Sequence, residues 1–258
     1  MPKLKRFIFI VLFILLLNVV LMNCITLLNF SNGSILKIIS KIVMAAMVIY
    51  MIVKYRMRIN NKFFFLYVLF SVVILINSYA FVGRELLFLD NDIDDYKNLL
   101  FLFSCLSVAV FEELLFRVFI FNFIYESLKE KYNLFRIVLI TSLLFGFAHF
   151  TNFLNSDYET LSVINQILLA FGLGTLLQSL YIRLRSIIPV VLIHTWLNYF
   201  GMYKNKLVPQ KVNKSVEILE TTSAWSEFVS TFVSISIIII LVIIPLSYLL
   251  IKNCRISR

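Results

Sequence analysis

The stretch Asn98 to Tyr125 reads NLLFLFSCLSVAVFEELLFRVFIFNFIY. It is predominantly apolar, its only charges are Glu112, Glu113 and Arg117, and it exceeds the roughly 20 residues that a helix needs to cross a bilayer core. The apolar positions run on without alternating, and lipid offers no partner to unpaired backbone groups, so a spanning helix is the form open to it.

Outward from this stretch the same pattern recurs. Windows of spanning length fall at Phe7–Leu28, Ile35–Val53, Phe63–Phe81, Asn98–Tyr125, Ile137–Leu154, Leu161–Ile182, Ile187–Tyr203 and Phe228–Ile251. The expected fold is therefore all-α: a polytopic integral membrane protein of about eight transmembrane helices with its active site inside the bundle. The expected organisation is three N-terminal transmembrane helices over 1–97, a core over 98–203, and an outer loop with the last transmembrane helix over 204–258. Composition agrees, for 61% of the 258 residues are apolar and 15% charged, whereas soluble chains average about 45–50% and about 25%. Mean hydropathy is +0.94. A soluble globular domain is excluded.

The net charge of +10 is a topology signal. The basic residues lie between apolar runs rather than on a soluble basic face, so nucleic acid is not an expected partner and membrane lipid is. Lys3, Lys5, Arg6, Lys54, Arg56, Arg58 and Lys62 fall inside when both termini are cytoplasmic, whereas Glu85, Asp90, Asp92, Asp94 and Asp95 fall outside. Lys37 and Lys41 are placed near the outer end of the second helix. Phe7–Leu28 is too long for the apolar region of a cleaved signal peptide and is read as a signal anchor. Cys24, Cys105 and Cys254 are odd in number and far apart, which suggests neither a disulfide framework nor a CxxC metal site.

Charged groups inside a bilayer are costly and mark functional sites by default. Glu113 and Arg117 are four apart and share a helix face, so they can pair; Glu112 is turned about 100° away and has no partner on its own helix. The chain has two histidines, His149 and His194, both within expected spans. His149 ends Phe145-Gly-Phe-Ala-His149, whose small Gly146 and Ala148 permit close approach of another helix. His194 and Asn198 share a face one turn apart, and Ser186 and Pro189 are placed as N-cap and first-turn residues of their helix. Measured from the inner ends, Glu112, His149 and Asn198 lie about 20, 18 and 17 Å deep, with His194 at about 10 Å. These depths let all four line one cavity.

Three motifs occur in order: Glu112-Glu113-xxx-Arg117, Phe145-xxx-His149 and His194-xxx-Asn198. Together they resemble the CPBP family of membrane proteins, which includes type II CAAX prenyl proteases and the bacteriocin-processing or immunity (Abi) proteins. Gly172-Leu-Gly174, Tyr181-Ile-Arg183 and Pro189 also resemble the family's approach to its third motif, and the resemblance covers about Asn98 to Tyr203. It implies an intramembrane endopeptidase whose catalytic set is Glu112, Glu113, Arg117, His149, His194 and Asn198. Glu112 with His149 would hold and deprotonate water, His194 and Asn198 would donate to the oxyanion, and Glu113 with Arg117 would orient the helix and Glu112. The candidate metal ligands are Glu112, His149 and His194, a set that suits catalytic zinc; sequence alone separates neither a zinc nor a glutamate-activated version.

The expected partner is a peptide or membrane-protein substrate. The Ile-, Phe-, Asn- and Lys-rich composition suggests a bacterial cell membrane, where leader, signalling or bacteriocin-related peptides are more natural substrates than prenylated proteins. The alternative is a non-catalytic membrane scaffold or a bacteriocin immunity protein. Transport is weaker, because no internal repeat or paired broken helix is visible.

Overall fold

The computed structural model describes residues 2–27, 33–57, 73, 76, 95–154, 160–207 and 220–254. Among them the chain is helical without a β-strand. Among the described residues five helices are long and apolar enough to cross a membrane: Ile35–Lys54, Tyr96–Leu128, Leu134–Phe153, Leu161–Leu184 and Phe228–Ile251. Five of the eight expected spans are thus present among the described residues. The first and seventh expected spans form helices whose apolar stretches are the shorter Phe9–Leu21 and Ile188–Met202. In the seventh, Lys204 and Lys206 end the apolar run. Phe63–Phe81 lies outside the described residues, apart from two isolated positions.

The helices group into two compact units. The first comprises 1–120 with 185–210, and the second 121–184 with 211–258. In the first, α1 (Pro2–Leu27) packs on α2 (Gly33–Lys54), α2 packs on α3 (Asp95–Glu113) and on the π-helical segment Leu114–Ile120 that continues it, and α7 (Ile188–Leu207) packs on α3. α2 shows how the bilayer inverts the usual surface. Its inward face carries Ser40, Lys41, Met44, Ala45, Val48 and Ile52, all buried, while Ile39, Ile42, Val43, Ile49 and Val53 are exposed. An outward apolar stripe of that extent suits lipid and not water.

In the second unit α4 (Phe121–Leu128) packs on α5 (Leu134–Ala148), and α5 on α6 (Thr160–Leu184). α8 (Glu220–Ile238), a second π segment (Ile239–Ile243) and α9 (Ile244–Ile251) also lie against α6. Phe121, Ile137, Val138, Ile182 and Ile251 form one buried cluster. Glycine admits the close approaches: a Cβ at Gly146 would come within 3.0 Å of the Ile167 carbonyl, and one at Gly174 within 3.0 Å of Phe145. Buried Thr141, Ser142, Thr175 and Ser179 each donate to a carbonyl of their own helix, which satisfies their hydroxyls without an interhelical partner.

Candidate active site

The first unit brings together Glu112, Glu113, Arg117 and His194, residues from helices far apart in sequence. Glu113 ends α3, and its side chain is fully buried. Arg117 Nε donates to Glu113 Oε2 at 2.8 Å and Nη2 donates to Oε1 at 3.3 Å. The i, i+4 pair read from the spacing is present, with both side chains at 0% exposure. Burying two charges is costly, and geometry of this kind is what offsets it.

Glu113 has a second partner. Its Oε1 lies 2.7 Å from His194 Nδ1 on α7. A carboxylate can only accept, so Nδ1 carries the proton and donates, and the ring is held with Nε2 turned the other way. That nitrogen faces Glu112 Oε2 at 3.7 Å. Glu113 thus positions a histidine from another helix, a contact that the spacing within its own motif does not announce. Both nitrogens of His194 face carboxylate oxygens, and N–H donors on both sides match the acceptors offered.

A third contact fixes α7 against α3. Tyr199 Oη donates to Asn98 Oδ1 at 2.6 Å, with the two side chains buried. Asn198, the neighbour of Tyr199, is half-buried on the same helix. The helix begins at Ile188, with Pro189 in its first turn. Ser186 lies two residues before that start, and its buried hydroxyl makes no hydrogen bond among the described residues. The N-cap expected at Ser186 is therefore corrected.

Just beyond the glutamates the backbone changes pitch. Leu114–Ile120 is a π-helix with every residue buried. Segments of this kind occur mostly as single turns and gather at functional sites, because the extra residue per turn redirects side chains.

His149 belongs to the second unit. It closes α5, where the chain tightens into the 3₁₀ helix His149–Leu154. Its Nδ1 lies 3.0 Å from the Phe145 carbonyl, and its ring meets Phe145 edge-on with centroids 5.1 Å apart. The carbonyl accepts from Nδ1–H, so in the neutral ring Nε2 carries the lone pair. That is the form of histidine that accepts a proton or a hydrogen bond from water.

Zinc requires more donors than one unit presents. Glu112 and His194 face each other in the first unit, and among the described residues no group of three or more His, Cys, Asp or Glu side chains is placed to hold a metal ion. A catalytic zinc site uses three protein ligands, and of the candidate donors the first unit offers two, Glu112 and His194.

Sequence reasoning missed Lys41. Its side chain turns inward, 8% exposed, and Nζ donates to Asn18 Oδ1 at 2.8 Å. The available signal was a lysine and an asparagine inside the first two apolar runs, which intramembrane polarity alone marks for attention.

Fold and site define an integral membrane protein that assembles a carboxylate–histidine–arginine network within one helical unit. Residues 95–200 match the model of the family described as type II CAAX prenyl endopeptidase Rce1-like. The matched region contains all three motifs, and over that stretch the chain is similar to the CPBP/CAAX protease family. Searches of curated proteins and of solved structures found no match.

Proposed function

We propose that this protein is an intramembrane endopeptidase that hydrolyses a peptide bond with water activated by Glu112. The observation that carries the reading is the orientation of His194: Glu113 holds Nδ1 at 2.7 Å and thereby directs Nε2 toward Glu112. A carboxylate that positions an imidazole which faces a second carboxylate is an arrangement suited to acid–base chemistry. The family match over residues 95–200 supports proteolysis as that chemistry.

In the proposed reaction Glu112 binds water and takes its proton as the water oxygen attacks the peptide carbonyl carbon. The carbonyl oxygen becomes an oxyanion, which receives N–H bonds from His194 Nε2 and the Asn198 amide. Glu112 then returns the proton to the departing nitrogen as the C–N bond breaks, leaving a carboxylic acid and an amine. Oxyanion donors of this kind contribute about 2.7–4 kcal/mol each where measured. Arg117 neutralises Glu113 and keeps that carboxylate available to His194.

The proposed substrate is a membrane-associated protein or peptide, and the proposed setting is a bacterial cell membrane with both termini cytoplasmic. The test is cleavage of a broad peptide library by the purified protein in detergent, read by mass spectrometry. Wild type should cut, and Glu112→Gln should not. Cleavage that survives a strong zinc chelator supports glutamate-activated water; cleavage retained by Glu112→Gln refutes the mechanism. The scaffold or immunity reading predicts that Glu112→Gln leaves function untouched.

A further inference from the structure

Lys41 is a buried cation that no motif accounts for. It lies on the ninth position of α2, about 12 Å from the start of that helix, and its side chain is turned inward, whereas Lys37 one turn earlier is exposed. A lysine that served only to anchor a helix end would extend its ammonium to the interface. Here Nζ is held within the first unit: it donates to Asn18 Oδ1 at 2.8 Å and sits 5.0 Å from the centre of the Phe111 ring. Phe111 directly precedes Glu112, and the charge of Glu112 acts on the ammonium.

The charges of this unit leave Lys41 a vacant role. Glu113 is engaged by Arg117 and His194, and Glu112 faces His194. Among the described residues no carboxylate lies within ion-pair distance of Lys41. An ammonium has three N–H donors, and the one hydrogen bond described for it goes to Asn18. A neutral amide and an aromatic face hold the cation in place without neutralising it.

We propose that Lys41 is an anion-receiving subsite that binds a carboxylate of the peptide substrate, beside the carboxylate that activates water. The proposal rests on the endopeptidase reading and adds a specificity determinant to it. The carboxylate has two sources, the C-terminus of the peptide or an Asp or Glu side chain. Either would replace a solvated anion with a charge-assisted bond to a preorganised cation. An extended chain spans about 3.3–3.6 Å per residue, so an anion held beside Phe111 places the scissile bond only a few residues away.

The test uses the full chain in phosphatidylcholine nanodiscs and a peptide identified by library cleavage. Four forms are compared: unmodified, C-terminally amidated, with acidic side chains replaced by their amides, and with both changes. The wild type should lose about tenfold to a hundredfold in kcat/KM on the form lacking the recognised carboxylate, mostly through KM. Which of the two single changes does this identifies the source. Lys41→Met should cut all four forms alike, at the wild-type rate for the neutral peptide, and Lys41→Arg should keep the preference. The neutral peptide is the folding control, since a misfolded variant would lose it too. Equal treatment of all forms by the wild type, or a preference that survives Lys41→Met, overturns the proposal.

Retention of random hexapeptides on the immobilised Glu112→Gln variant separates the two readings. Lys41-dependent retention of charged over amidated peptides, with no cleavage by wild type, keeps the subsite and refutes the protease. Absence of both retention and preference refutes the subsite.

Discussion

Replacing Glu113 by Leu leaves Arg117 as a cation at 0% exposure without its carboxylate, and replacing Arg117 by Met leaves the buried Glu113 carboxylate without its guanidinium and with His194 as its remaining described partner. Removing one partner of a buried pair costs about 3–5 kcal/mol. The double variant Glu113→Leu/Arg117→Met strands neither charge, and such exchanges to apolar side chains are often near neutral. Stability should therefore fall in each single variant and largely return in the double, a strongly non-additive cycle. Activity should behave differently. His194 Nδ1 loses its acceptor in both variants that lack Glu113, so turnover should stay about 10²–10⁴-fold down in the double variant although its stability recovers. Melting in detergent, followed through Trp196 and Trp225, gives the first quantity, and cleavage of the library-derived peptide gives the second. Additive stability losses would refute the burial argument. Recovered activity in the double variant would refute the assignment of Glu113 as the group that positions His194.

Tyr199→Phe removes the donor to Asn98 Oδ1 at 2.6 Å and should cost about 1–3 kcal/mol in a melting assay, with turnover falling as α7 loosens beside Asn198. Glu112→Gln should abolish cleavage while leaving the melting temperature close to wild type, since Glu112 is only half-buried and its nearest described charge partner is 3.7 Å away. Gly172→Ala would place a Cβ 2.6 Å from Ile239 Cγ1 and should destabilise by about 1–3 kcal/mol. Gly201→Ala, with nothing within 4 Å, should be neutral or gain up to about 1 kcal/mol of helix propensity, read in the same melts.

Hydropathy made the helical membrane architecture legible, because a bilayer imposes helix on any long apolar run. It also placed five spans within a few residues, from Ile35–Lys54 to Phe228–Ile251. Spacing made the Glu113–Arg117 pair legible, since four residues is one helical turn. What stayed hidden depends on long-range packing. His194 meets Glu113 across 81 positions of sequence, and no periodicity within either motif encodes that meeting. The inward turn of Lys41 was read as a helix-end charge, because depth in a helix says nothing of which face its neighbours cover. The π-turn after Glu113 was equally silent, for its residues are as apolar as those of an ordinary helix.

That π-turn has a consequence for how the gene can change. A π segment is what one residue added to an α-helix leaves behind, the surplus held as a bulge instead of being spread along the chain. The segment Leu114–Ile120 therefore records a frame one residue longer than α-helical phase requires. Deleting Leu115 would break the spacing between Glu113 and Arg117. Deleting Val118 would keep that pair and remove the surplus residue, so the helix would run through this point in ordinary α-helical phase. A single-codon deletion thus has opposite meanings on the two sides of Arg117, and a scan of such deletions would show which length of this helix selection has kept.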